Sequence, residues 1–243
     1  MAAPDEKTPL QEAEPSDGPC NIGNFILFRK IGSIGLPVLQ KNRQQVLRVS
    51  HYVCLTSLLF TVAATVGAFA SKTLLSYLSW VTVKTPNGIA NAGVRWVCYD
   101  IPSENGGMQW KCEPWSEFDC SHSPLPDACA LCKHEAIHLT LTMMVAIFTF
   151  YTCYKKTDER MKGKDSNFTK FTVITNALIG GANFSLAIWA YWQSCILSSL
   201  AGTTTASPGL GLWCISVAAV LKVLVGVISV GVPVDKSAVK DVV

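Results

Sequence analysis

LGLWCISVAAVLKVLVGVISVGV, residues 210–232, holds one charged side chain, Lys222, and no proline. Wound as an α-helix it reaches about 35 Å, enough to cross the ~30 Å hydrocarbon core of a bilayer. Three more stretches read the same way: Tyr52–Ala70, Ile137–Tyr154 and Phe171–Gln193. None alternates apolar with polar residues as a barrel strand does. Inside lipid a backbone satisfies its polar groups only as helices or closed barrels, so these stretches are expected to be helical. The expected fold class is an all-α membrane protein: a four-helix transmembrane bundle with a small disulfide-braced, β-rich extracellular loop. Its spans are placed at residues 50–71, 134–154, 170–194 and 210–232.

Between and around them lie a tail at 1–23, a juxtamembrane segment at 24–49, a large loop at 72–133, a link at 155–169, a short loop at 195–209 and a tail at 233–243. Basic residues orient these pieces. Arg29, Lys30, Lys41, Arg43 and Arg48 precede the first span, and Lys155, Lys156, Arg160, Lys162, Lys164 and Lys170 crowd the link. The large loop spreads its basic residues among acids, and Ser194–Pro208 carries no charge. The positive-inside rule therefore predicts cytosolic termini and link, with both loops exoplasmic, in a plasma, secretory or vesicle membrane. Met1–Gly18 is acidic and lacks the apolar core of a signal peptide, so the first span is expected to act as its own insertion signal. The tail at 1–23 reads as disordered. Phe25–Leu39 is apolar but broken by Gly32, Gly35 and Pro37. It reads either as a segment lying in the inner headgroup zone or as a loop tucked under the bundle. A net charge of +3, with no dense basic run, argues against a nucleic-acid partner.

The large loop holds Cys98, Cys112, Cys120, Cys129 and Cys132, and an oxidising compartment makes disulfides their expected state. Cys195 and Cys214 bracket the short loop. Either they pair with each other, or one of them takes the odd cysteine of the large loop. Cys54 and Cys153 fall within spans and read as packed thiols, with Cys153 also a lipidation candidate at the cytosolic face. Val81–Lys84 and Val94–Tyr99 alternate and read as strands, with Pro86-Asn87-Gly88 as the turn between them. Two or three strands are expected. Trp80, Trp96, Trp110 and Trp115 serve either as mini-core and interfacial anchors or as partner contacts.

Within the third span, Asn176, Gly180, Asn183 and Ala187 share one helical face, which reads as a packing seam or, with Lys222, as a polar path. Lys222 has no acid in any of the four apolar stretches to pair with, and a cation at the bilayer centre costs at least ~2.5 kcal/mol. Asn167-Phe168-Thr169 and Asn183-Phe184-Ser185 fit the glycosylation sequon but fall in the link and in a span, so both are expected to be silent. His134-Glu135-Ala136-Ile137-His138 fits H-E-x-x-H, which in zincins supplies two zinc ligands and a base. The downstream spans supply no acid or histidine as a third ligand, so neither a metal nor any other cofactor is expected and the chain is read as no enzyme. The terminal Asp241-Val242-Val243 suits a PDZ groove.

Gly93-Val94-Arg95-Trp96-Val97-Cys98, with Trp80 upstream and Cys112 downstream, resembles the claudin-group signature W…GLW-x-x-C…C. Arg95 stands at the Leu position, and one residue fewer precedes Cys98. Gln44–Val49 before the first span is similar to the MARVEL vesicle proteins. The resemblance to these tetraspan families implies adhesion, membrane-domain organisation, vesicle structure or modulation of another membrane protein. Membrane lipid, other membrane proteins, further copies of the chain and a PDZ scaffold are the expected partners. The alternative functions are a channel or transporter subunit built on Lys222, Asn176 and Asn183, and more distantly a membrane zinc protease.

Overall fold

The computed structural model describes residues 35–36, 39, 41–69, 72–86, 88–103, 107–123, 125–197 and 205–235. The tail at 1–23, the apolar run at 25–34 and the PDZ candidates Asp241 and Val243 lie outside the described residues. Among the described residues four helices are long and apolar enough to cross a membrane: α1 (Arg43–Phe69), then, after the short α2 (Lys72–Leu78), α3 (Pro126–Met161), α4 (Asn167–Tyr191) and α5 (Leu210–Gly231). At 36 residues, α3 is about 54 Å long and outruns the apolar stretch at both ends. Local signals set its limits. Pro126 begins it, where a missing N–H costs nothing. Gly163 (φ +84°) ends it in the left-handed conformation that glycine adopts without strain. Ser166 then caps α4, its hydroxyl accepting from the Thr169 N–H at 3.0 Å. A π-helical turn, Trp192–Ile196, prolongs α4.

The bundle closes through small residues. A Cβ at Gly226 of α5 would meet Leu178 of α4 at 2.5 Å, and Gly181 of α4 lies under Lys222 and Val223. The Ser57 hydroxyl of α1 donates to the Ala218 carbonyl of α5 at 2.9 Å. The face of α4 that packs runs through Val173, Ala177, Gly181, Phe184, Ile188 and Tyr191. It is offset by about one residue from the expected Asn176–Ala187 seam. Asn183 is exposed, and the Asn176 amide donates to the Thr172 carbonyl of its own helix at 2.9 Å. An amide satisfied locally has no need to cross to a neighbour, so small and apolar side chains take the contact.

Five antiparallel strands sit beyond one end of the bundle in the order β4-β3-β2-β1-β5: β1 (Val81–Thr85), β2 (Gly88–Ala92), β3 (Trp96–Pro102), β4 (Met108–Pro114) and β5 (Thr205–Pro208). The chain after β1 therefore leads into β2, not directly to the strand containing Val94–Tyr99. β2, Gly-Ile-Ala-Asn-Ala, is too weakly β-forming to be read as a strand and exists because it pairs on both sides. β5 comes from the short loop and pairs with β1, Val81 opposite Pro208 and Lys84 opposite Thr205. Its chain then turns into α5 through Gly209 and Gly211, whose N–H groups donate to the carbonyls of Trp80 and Ser79, each at 2.9 Å. A Cβ at either glycine would collide with a carbonyl oxygen of the Leu78–Ser79 backbone.

Trp80 and Trp115 are core residues, 0 % and 4 % exposed, which rules them out as partner contacts in this fold. Trp80 packs edge-on to Tyr191 and donates from Nε1 to the Ala64 carbonyl, while Trp115 donates to the Gly93 carbonyl at 2.8 Å. Trp96 and Trp110 are half-buried on β3 and β4. Three disulfides brace this end: Cys98–Cys112 across β3 and β4, Cys120–Cys129, and Cys132–Cys195 between α3 and the π turn. Cys195 thus pairs with the odd cysteine of the large loop, not with Cys214, which is free. Cys132–Cys195 closes the longest interval, 63 residues. In the chain-entropy account, the Cys132→Ser, Cys195→Ser pair loses about 4 kcal/mol, against about 3 kcal/mol for losing Cys98–Cys112. Thermal unfolding of both double variants in detergent checks the order.

Candidate functional site

Between the sheet and the start of α3 lies a cavity of about 680 Å³, within the size range of ligand sites. Its buried floor is apolar: Val81, Ala92, Val97 and the Cys132–Cys195 bond. Tyr99, Trp115 and Phe118 add an aromatic wall, with Phe118 edge-on to each of the other two at 5.4 and 5.7 Å. The more exposed lining is charged, with Asp100, Glu113, Glu117 and Asp119 against a single base, Lys111. Glu113 pairs with Lys111, and accepting that hydrogen bond it holds the Lys111 ammonium above the ordinary lysine range. Asp100 accepts from the Ile89 N–H at 3.0 Å, and Asp119 from the Ser121 N–H at 3.0 Å. A net negative rim over an apolar floor suits an apolar group flanked by positive charge.

Lys222 is buried deep in the bundle. Its ammonium donates to the Thr149 carbonyl of α3 at 2.9 Å and stands 4.1 Å over the Phe150 ring. The Cys54 and Cys153 sulfurs lie 3.7 Å apart, and Cys54 approaches the Thr157 hydroxyl at 3.8 Å. Cys153 is fully buried, so it is no surface acceptor for a lipid. The sequence expectation joined Lys222 to Asn176 and Asn183, but its hydrogen bond goes to α3 instead. Gly180 does sit at a close contact, a Cβ there meeting Thr149 at 3.4 Å.

At the other end of the bundle, a buried charge cluster escaped the sequence reading. Asp165 accepts at Oδ1 from Arg160 Nε (2.9 Å) and at Oδ2 from Arg43 Nη2 (2.5 Å). Arg43 also donates from Nε to the Pro233 carbonyl and pairs with Asp235 at 3.4 Å, and Arg160 donates to the Val232 carbonyl. Lys170 is fully buried nearby. In the sequence Arg43 and Arg160 count only as basic residues that orient the chain. In the fold they tie together the start of α1, the end of α3 and the chain leaving α5. One signal was present: Asp165 is the only acid from Lys162 to Lys170.

His134 and His138 stand on an exposed face of α3 with their Nε2 atoms 3.1 Å apart. Among the described residues no third His, Cys, Asp or Glu joins them in a group of three, so the zincin ligand set is not assembled. Comparison with known proteins finds no family model that matches the chain and no match among curated proteins.

Two substitutions separate structural from functional charge. Asp165→Asn strands two buried guanidinium groups and is expected to lower stability by about 3–5 kcal/mol. Lys222→Met keeps the side chain's length and removes a buried charge, so thermal unfolding in detergent should show an unchanged or raised midpoint.

Proposed function

We propose that the chain is a non-enzymatic, four-span membrane protein that organises or modulates other membrane proteins. On this reading the sheet end is exoplasmic and the link is cytosolic. The observation that carries it is the segregation of the two ends. All six bonded cysteines and the five-stranded sheet gather at one end, while Lys155, Lys156, Lys162 and Lys164 gather at the other. Disulfides persist in oxidising compartments and basic loops stay inside, so both rules give the same orientation. The acidic-rimmed cavity is the part that recognises a partner, taking an apolar side chain flanked by basic ones.

Within the tetraspan resemblance we favour the claudin type. The residues that carry it form one unit: Trp80 enters β1, Trp96 begins β3, and Cys98 bonds Cys112 directly across the β3–β4 ladder. Adhesion or modulation of a neighbouring membrane protein then fits better than vesicle structure.

Gly107→Ser, at a position where a Cβ meets nothing within 4 Å, completes an N-x-S sequon with Asn105. The variant should gain a glycan in a secretory-pathway host while Asn167 stays bare; a glycan at Asn167 reverses the orientation. Isolation in mild detergent should recover a membrane partner in fixed proportion. That partner should be lost on reduction or with Glu117→Lys, and its retention under both conditions overturns the partner role of the sheet end.

A further inference from the structure

The histidine pair on α3 has a geometry that the organising role does not use. His134 and His138 are one helical turn apart, so their rings project side by side, with centroids 4.4 Å apart. With the Nε2 atoms 3.1 Å apart, an ion about 2.0–2.1 Å from each nitrogen subtends an angle of about 95–100°. That lies between the right angle of tetragonal copper(II) or nickel(II) and the tetrahedral angle of zinc(II), so either geometry is reached by a small ring rotation.

The carboxylate of Glu135 is the second observation. Its Oε1 lies 3.6 Å from Nδ1 of His134, on the side of the ring away from the partner histidine. A negative charge there favours the proton on Nδ1 and leaves the Nε2 lone pair of His134 free. Metal-bound histidines commonly have a carboxylate hydrogen-bonded behind the ring, and Glu135 stands just outside that distance, within reach of a small rotation. In the metal-free pair the two Nε2 atoms share one hydrogen, and with the proton of His134 on Nδ1 the donor is His138. An ion takes the place of that hydrogen, and His138 adopts the Nδ1–H tautomer.

The pair stands at the edge of the apolar stretch, His134 before it and His138 just inside it. The His134 side chain is 67 % exposed. The neighbouring ammonium of Lys133 is turned to the Phe118 carbonyl, which it meets at 2.7 Å. Cys129 and Cys132, within two turns, are held in disulfides and do not compete as thiolates.

We propose that His134 and His138 form a two-imidazole chelate for a borderline divalent transition ion, copper(II) or zinc(II), with Glu135 as the outer carboxylate that orients His134. The remaining positions on the ion take water. Glu135 therefore has a positioning role, and the H-E-x-x-H spacing serves binding without hydrolysis.

The test uses full-length, tag-free protein in detergent, titrated with Cu2+ and with Zn2+. One ion per chain is expected, and Mg2+ should not bind. Cu2+ spectra should carry coupling to two imidazole nitrogens. His134→Ala and His138→Ala should each weaken binding at least tenfold and leave coupling to a single imidazole. Glu135→Gln should weaken it by about tenfold while keeping both nitrogens. His122→Ala and the Cys54→Ser, Cys153→Ser pair should change nothing. Unchanged disulfides and thermal midpoints in the histidine variants keep a folding defect apart from a lost ligand. Binding that survives both histidine variants, or no saturable Cu2+ binding by the parent protein, overturns the site.

Discussion

The fastening of the two loops at the sheet end is the constraint on which the rest of this architecture depends. β5 hydrogen-bonds to β1, the chain beyond it is stitched to Ser79 and Trp80, and Cys195 is bonded to Cys132. A two-stranded ribbon is marginal in water, whereas a sheet of five strands with one face on a core is not. Because α3 begins at Pro126, well before its apolar stretch, its first turns reach up beside the sheet. The cavity is the gap between that extension and the strands, floored by the disulfide that ties α3 to the π turn. The same residues that secure the fold therefore shape the surface proposed to meet a partner.

Inside the bundle the governing problem is what to do with polar groups. Most hydroxyls are satisfied along their own helix: Thr61 donates to the Ser57 carbonyl, Thr152 to Phe148 and Ser216 to Leu212. Lys222 cannot be satisfied that way and reaches a carbonyl and an aromatic face on α3. Asp165 is the opposite case, a carboxylate shared by two arginines from separate segments. Both are specific in geometry, yet only the second ties distant parts of the chain together. Neither forms a continuous path through the bundle with Asn183, which points away from the packed face.

Much of the plan was legible in the sequence because it depends on local rules. The apolar runs, the basic link and the crowding of cysteines in one loop are each properties of a few contiguous residues. The strands at Val81 and Trp96 were legible from alternation, and the histidine pair from its four-residue spacing. β2 and β5 were not, since Gly88–Ala92 and Thr205–Pro208 have little strand preference and owe their form to neighbours. The packed face of α4 lies about one residue from the Asn176–Ala187 stripe, because the Asn176 amide is satisfied by its own helix and small and apolar side chains take the contact.

By itself, then, the sequence determined four long apolar helices, their order and the segregation of cysteine from basic charge, because helix length, apolarity and charge are properties of contiguous residues. Only the tertiary structure decided that Cys132 pairs with Cys195, that Trp80 and Trp115 are core, that Asp165 bridges Arg43 and Arg160, and that a cavity opens under the sheet. Each of these joins residues far apart in the chain. Several cysteines, tryptophans and arginines could have met in more than one way. Which ones did is set by how the helices pack and where the two loops cross.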